Sequence, residues 1–221
     1  MRITHHGIRD FRKAVGRVVR FVLFAVVPVA VSAATTLDHL GRCQDEEILT
    51  GERIAACTIV LEDSSQQPDI RAEALLNRAI AQLAAGHRDK SFADLDMAIA
   101  LNPEYSAPYF VRGGAHLDAG DAAKAVADLS VALRLNPANS DILETRGRAH
   151  LLGGANDLSL KDLDAAIALD AENADSYALR GLASERLKNA KAALADYQRA
   201  LTIDPTHELA IEGTKRLRSK T

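Results

Sequence analysis

The sequence predicts an all-α chain built as a solenoid of stacked helix pairs, and three observations carry that prediction. The dipeptide Arg112-Gly113 recurs as Arg146-Gly147 and Arg180-Gly181, with Arg78-Ala79 upstream, at a constant step of 34 (112 − 78 = 146 − 112 = 180 − 146). Ala98, Ala132, Ala166 and Ala200 keep the same step, as do Leu101, Leu135, Leu169 and Ile203, then Pro103, Pro137, Ala171 and Pro205. Aromatics make up only 4% of the chain while alanine is abundant, which suits helices meeting through small residues better than an aromatic-rich sheet. A repeat of about 20 to 50 residues marks supersecondary units that bury their apolar faces only by stacking.

A period of 34 with this placement of small residues resembles the tetratricopeptide-repeat family. The family pattern puts Gly or Ala eighth, an aromatic eleventh, small residues twentieth and twenty-seventh, and Pro thirty-second. In the second copy Gly113, His116, Ala125, Ala132 and Pro137 stand at those places, His116 departing from the aromatic. The resemblance runs from about Arg71 to Pro205 and implies a right-handed superhelical solenoid of antiparallel helix pairs.

Taken in order, residues 1–33 read as a secretory signal peptide. Arg2, Arg9, Arg12, Lys13, Arg17 and Arg20 precede an apolar run from Phe21 to Val31 that ends in Val31-Ser32-Ala33, the layout of a cleavable leader. The run is short for a spanning helix and Pro28 interrupts it, so cleavage after Ala33 is expected, with an uncleaved signal anchor as the alternative. A lipoprotein reading fails because Arg42 stands before Cys43 where a small residue is needed. Losing six basic residues and one acidic takes the formal charge from −3 to −8. An acidic chain of this kind argues against nucleic acid and anionic lipid as partners, since both need a basic footprint.

Residues 34–71 are expected to form an N-terminal cap or degenerate repeat. Thr35 to Leu49 is polar and mixed and is expected to cross the surface before a helix from about Gly51 to Glu62. Cys57 and Leu61 fall one full period before Ser91 and Leu95 (91 − 57 = 95 − 61 = 34), so that helix reads as the second of an incomplete hairpin. Cys43 and Cys57 are the chain's two cysteines, and in an exported protein an even count favours a disulfide that replaces missing core. Two unlinked thiols are the alternative; a redox-active pair is disfavoured because no Cys-x-x-Cys is present.

Residues 72–205 hold the four full repeats, approximately 72–105, 106–139, 140–173 and 174–207. Each reads as helix A, a short turn and helix B. In the second copy Pro108 falls in the first turn of helix A, Gly120-Asp121 makes the turn with Asp121 as N-cap, and Pro137 ends helix B. Gly86 and Gly154 repeat the turn, and Lys188-Asn189 replaces it in the fourth copy. Residues 208–221 are expected to form a capping helix with Leu209, Ala210, Gly213 and Leu217 on one face.

Chemistry-bearing residues are few. Arg78 and Asp94, Arg112 and Asp128, Arg146 and Asp162, and Arg180 and Asp196 keep one constant spacing (94 − 78 = 128 − 112 = 162 − 146 = 196 − 180). In the resembling fold that spacing spans one hairpin, so these pairs are expected to be structural clamps rather than a ligand ladder. Asp94-x-Asp96 and Asp162-x-Asp164 look like paired carboxylates, but neighbours two apart on a helix do not face each other. His116 and His150 repeat with the same period and are expected to pack in place of the aromatic; one phase of successive repeats cannot bring them to a shared metal ion. No nucleophile elbow, phosphate loop or zinc-protease motif is present, so no catalytic residue, metal or cofactor is assigned.

Members of the resembling family bind partner peptides along helix A. Carried over to this sequence, the corresponding places are Leu76, Ile80, Phe110, Val111, Leu117, Arg148, Leu151, Leu182 and Arg186, with Leu83 and Leu179 beside them. They imply an amphipathic or extended partner segment with a few acidic residues. The function implied is a non-enzymatic scaffold for protein–protein interaction in a bacterial cell envelope, most simply the periplasm. The alternatives are an accessory subunit of an envelope enzyme, a cell-wall glycan or peptidoglycan module, which the lack of Trp disfavours, and a self-associating module.

Overall fold

The computed structural model describes residues 33–219, so the leader and its expected cleavage lie almost wholly outside the described residues. Among these residues eleven helices follow one another: α1 Ala33–Gln44, α2 Thr50–Glu62, α3 Pro68–Ala84, α4 Arg88–Leu101, α5 Ser106–Asp118, α6 Ala122–Leu135, α7 Ser140–Leu152, α8 Asn156–Leu169, α9 Ala174–Arg186, α10 Ala190–Ile203 and α11 Glu208–Arg218. No strand occurs among the described residues. The chain forms two compact units, one reaching Ala115 and the other starting at His116. In the first, α1 packs on α2, α2 on α3 and α3 on α4; in the second, each helix from α6 to α11 packs on the next.

The second helix of each repeat is built on one stripe. Ser91, Asp94, Leu95 and Ala98 are the buried residues of α4, and Ala125, Asp128, Leu129 and Ala132 those of α6. Ser159, Asp162, Leu163 and Ala166 repeat the spacing in α8, as do Ala193, Asp196, Tyr197 and Ala200 in α10. Positions i, i+3, i+4 and i+7 share one helix face, and three of the four are small or medium, which lets the neighbouring backbone come close. Gly147 of α7 uses that closeness: a Cβ there would sit 2.9 Å from Leu163 Cγ.

The hairpin turns repeat as strictly. Gly86, Gly120 and Gly154 take φ values of 79°, 80° and 79°, and Lys188 takes 63° at the same register. In each case the next amide reaches back to close the helix: His87 N to Gln82 O at 2.8 Å, Asp121 N to His116 O at 2.9 Å, Ala155 N to His150 O at 2.9 Å and Asn189 N to Ser184 O at 2.9 Å. A left-handed residue just past the helix satisfies its last carbonyls, which is why glycine stands there three times. Asp121 caps α6 by accepting from Lys124 N at 3.1 Å.

The N-terminal region differs from its sequence expectation. Ala33–Gln44 is a helix, not a surface crossing, so the first hairpin is complete. Its two Thr, Gly41 and mixed charges hide a narrow apolar stripe in which Leu40 and Cys43 reach the core with Ala56, Cys57, Val60 and Ala74. Cys43 and Cys57 form a disulfide with Cα atoms 4.7 Å apart, and both are fully buried. Gln44 and Val60 stand one full period before Arg78 and Asp94 (78 − 44 = 94 − 60 = 34). Both halves of the later charged clamp are therefore missing here, and a covalent link joins the two helices instead. Arg53 adds to it, donating from Nε to Cys43 O at 3.0 Å and from Nη2 to Asn77 Oδ1 at 3.1 Å.

At the other end α11 takes the place of one more helix A. Tyr197 of α10 replaces the leucine found at Leu95, Leu129 and Leu163, and its ring fills a slot between two glycines. A Cβ on Gly181 of α9 would lie 2.8 Å from one ring edge, and a Cβ on Gly213 of α11 would lie 2.3 Å from the other. The Tyr197 hydroxyl donates to Glu185 Oε2 at 3.0 Å, and Arg216 grips the same carboxylate with two bonds of 2.7 Å. The larger side chain thus fits because both neighbours have none.

Candidate partner-binding face

Three arginines of the first helices hold their own hairpins closed. Arg78 donates to Asp94 through Nε and Nη2, both at 2.8 Å, and Arg146 holds Asp162 at 2.8 and 2.7 Å. Arg180 holds Asp196 at 3.0 and 2.6 Å. A planar guanidinium matches two carboxylate oxygens at once, and each aspartate is buried, so the pair fixes the geometry of both helices.

Each guanidinium also has an Nη1, and this group reaches back to the preceding helix B. Arg78 Nη1 donates to Thr58 Oγ1 at 3.1 Å, Arg112 Nη1 to Asp96 Oδ1 at 2.5 Å, Arg146 Nη1 to Ser130 Oγ at 3.2 Å and Arg180 Nη1 to Asp164 Oδ1 at 2.8 Å. Asp96, Ser130 and Asp164 keep the period of the repeat. Asp96 and Asp164 do not pair with the aspartates two places before them; their partner is the arginine of the following repeat. Tyr109 and Tyr177 lie against Arg112 and Arg180, with ring centroids 5.8 and 5.4 Å from the guanidinium carbons. These are the same two repeats that use an aspartate, an attractive arrangement for a cation on a ring face.

His150 sits with Nε2 3.6 Å from Asp162 Oδ2, and His116 Nε2 is 3.8 Å from Asp128 Oδ2. Burial pushes the His150 imidazole below its ordinary pKa, opposed by Asp162 and helped by Arg146. Among the described residues no three His, Cys, Asp or Glu side chains converge as a metal-binding group.

A side chain serves a partner only where solvent reaches it. Of the nine carried-over positions, Leu76, Phe110, Val111, Leu117 and Leu151 are 1%, 0%, 1%, 6% and 3% exposed and therefore belong to the core. What remains accessible is Ile80, Arg148 and Leu182, half-buried, and Arg186, exposed. In the second unit the accessible side chains at these positions are thus mixed, Leu182 beside the cations Arg148 and Arg186. These cations are partly engaged: Arg186 Nη1 donates to the Leu151 carbonyl, and Arg148 lies in the field of Glu144. Glu144 of α7 accepts from Asn173 Nδ2 at 2.7 Å and from Ser176 Oγ at 2.9 Å. Sequence reasoning missed it, although its place four residues before Arg148 on one helix face was visible.

Hairpins joined at left-handed turns and clamped by a recurring arginine define an all-α protein of the solenoid class. The chain is a tetratricopeptide-repeat protein: the tetratricopeptide-repeat family profiles match residues 76–140 and 174–207. Among solved structures, MamA 41-end from Desulfovibrio magneticus RS-1 superposes with a TM-score of 0.70 at 16% identity, over 82% of this chain and 99% of that one. YrrB, described as a TPR protein with an unusual peptide-binding site, gives 0.63 at 20% identity over 83% and 88%. The Arabidopsis OM64 TPR domain gives 0.52 at 31% identity over 53% and 98%. A search of curated proteins finds no significant match. No helix among the described residues is long and apolar enough to cross a membrane, and the Cys43–Cys57 disulfide points to an oxidising compartment.

Proposed function

We propose that this protein is a non-enzymatic scaffold of the bacterial cell envelope that binds an extended or helical segment of another protein along its first helices. The observation that carries the reading is the accessible mixed surface of Arg148, Leu182 and Arg186, set on helices that arginine clamps and a rigid core hold in place. Preorganised side chains of this kind bind at low ordering cost. The peptide-binding site named for YrrB supports the same use of the fold. Export to the periplasm, with cleavage after Ala33, is supported by the basic-then-apolar leader and by a fully buried disulfide that an oxidising compartment would maintain.

The test is capture from a bacterial envelope extract with the wild-type chain, an Arg148→Glu/Leu182→Ser variant and a control, Leu169→Ser, altered at an exposed site on a second helix. Circular dichroism first establishes equal helicity. A protein retained by wild type and control but lost by the double variant supports the scaffold reading. Equal capture by all three, or capture of sugar-bearing fragments alone, rejects it.

A further inference from the structure

In the second unit the beginnings of three successive first helices are tied together by titratable groups. Glu144 of α7 receives hydrogen bonds from Asn173 and Ser176, at 2.7 and 2.9 Å. Asn173 is also the N-cap of α9, its Oδ1 accepting from Ser176 N at 3.2 Å. Asp175 lies in sequence between the residues on either side that bond Glu144, and its Oδ1 is 2.9 Å from His207 Nε2. His207 is in turn the N-cap of α11, its Nδ1 accepting from Ala210 N at 3.4 Å. Each cap is thus held from behind by a carboxyl on the preceding first helix.

The charges around Glu144 are Arg148 one turn on along α7, Asp141 three residues back, and Asp175 of α9 with His207 of α11 behind it. Two influences favour the neutral acid: removal from water, the larger, and the like charge of Asp175. Arg148 and the two hydrogen bonds favour the carboxylate. The first pair prevails and pushes the Glu144 carboxyl from 4.5 up to about 7, since a desolvated charge is costly unless fully countered.

We propose that this row is a proton-responsive joint: a proton on Glu144 holds the N-terminal ends of α7 and α9 together, and its loss sets a second negative charge beside Asp175 and loosens α9 from α7. The neutral acid keeps a carbonyl oxygen that accepts from Asn173 and Ser176, so the capped geometry needs no anion. Ionisation also draws the side chain of Arg148, the accessible cation of this face, toward Glu144 one turn before it on the same helix. The joint stands on the contacts among these helices and is independent of the partner assigned above.

The folded state binds this proton more tightly than the unfolded chain does. The contact is therefore at full strength below the unfolded value and weakens as pH rises through the folded one. From about pH 5.5 to about pH 8 the opening equilibrium of the α9 amides from Ala178 to Gly181 should increase on the order of twentyfold in the wild type relative to Glu144→Gln. His150 contributes the opposite slope, since burial favours its neutral form, so the difference between wild type and variant is the quantity to read.

Native-state hydrogen exchange, corrected for the pH dependence of intrinsic exchange, measures it. An increase confined to the wild type supports the joint; equal behaviour of wild type and variant overturns it. A carbon-13 titration of the Glu144 carboxyl in the wild type decides the matter even if the variant does not fold. A midpoint near the raised value of about 7 supports the joint, and one near the ordinary glutamate value overturns it.

Discussion

Gly213→Ala gives the sharpest test of how the C-terminal helix is seated. In an ordinary helix interior, replacing Gly by Ala stabilises by about 0.5–1 kcal/mol because the unfolded chain loses freedom. At Gly213 the new Cβ would lie 2.3 Å from two ring atoms of Tyr197, far inside van der Waals contact. The ring has nowhere to go: it is fully buried, its opposite edge faces Gly181, and its hydroxyl is held by Glu185. Overpacking of this sort costs about 1–3 kcal/mol, so the substitution should destabilise. Gly51→Ala in α2, with nothing within 4 Å of the added atom, should stabilise. Thermal unfolding resolves the two signs, at about 2–4 °C per kcal/mol for a chain of this size. The double variant Gly213→Ala/Tyr197→Leu restores the leucine used in the other repeats and should recover at least about 1 kcal/mol of the loss as a coupling energy. If Gly213→Ala behaves like Gly51→Ala, the two-glycine slot does not explain why Tyr197 fits.

Three further outcomes are expected. Ser130→Asp supplies Arg146 with the carboxylate that Arg112 and Arg180 already have at this register; it should raise stability by about 0.5–1 kcal/mol, with the gain fading at high salt in parallel urea titrations. Lys188→Gly removes a non-glycine residue from φ 63° and should add about 0.5–1 kcal/mol in the same assay, whereas Gly120→Ala should subtract a similar amount. Replacing Cys57 by Ser opens a link of sequence separation 14 and should cost about 3 kcal/mol on the chain-entropy account. In that variant, exchange of the α1 and α2 amides should be the first to rise.

The repeat architecture was legible because one period governs apolar, small and turn residues together. Ala98 to Ala200, Gly86 to Gly154 and the arginines all count in the same step. The α1 helix escaped because its stripe is only as wide as Leu40 and Cys43, and because the disulfide supplies cohesion that apolar residues supply elsewhere. Five of the nine carried-over surface positions lie in the core, since a family register gives the side of a helix but not the depth to which neighbouring side chains cover it. Phe110 and Leu151 show this plainly. The second acceptors of the arginines were within reach of the sequence, because Asp96, Ser130 and Asp164 keep the step. The place of Glu144 beside Arg148 was legible too, but its raised pKa was not, since that comes from burial and from Asp175, opposed by Asn173 and Ser176.

The back-reaching Nη1 group makes the repeats unequal in a way that bears on how such chains are lengthened or spliced. Arg112 and Arg180 find an aspartate on the hairpin before them, while Arg146 and Arg78 find a hydroxyl, at Ser130 and Thr58. Duplicating the hairpin of the second repeat alone would seat the new Arg112 on a hydroxyl, whereas duplicating that of the third would seat the new Arg146 on a carboxylate. The order of the repeats, and not only their number, therefore sets how firmly each hairpin is joined to the one before it.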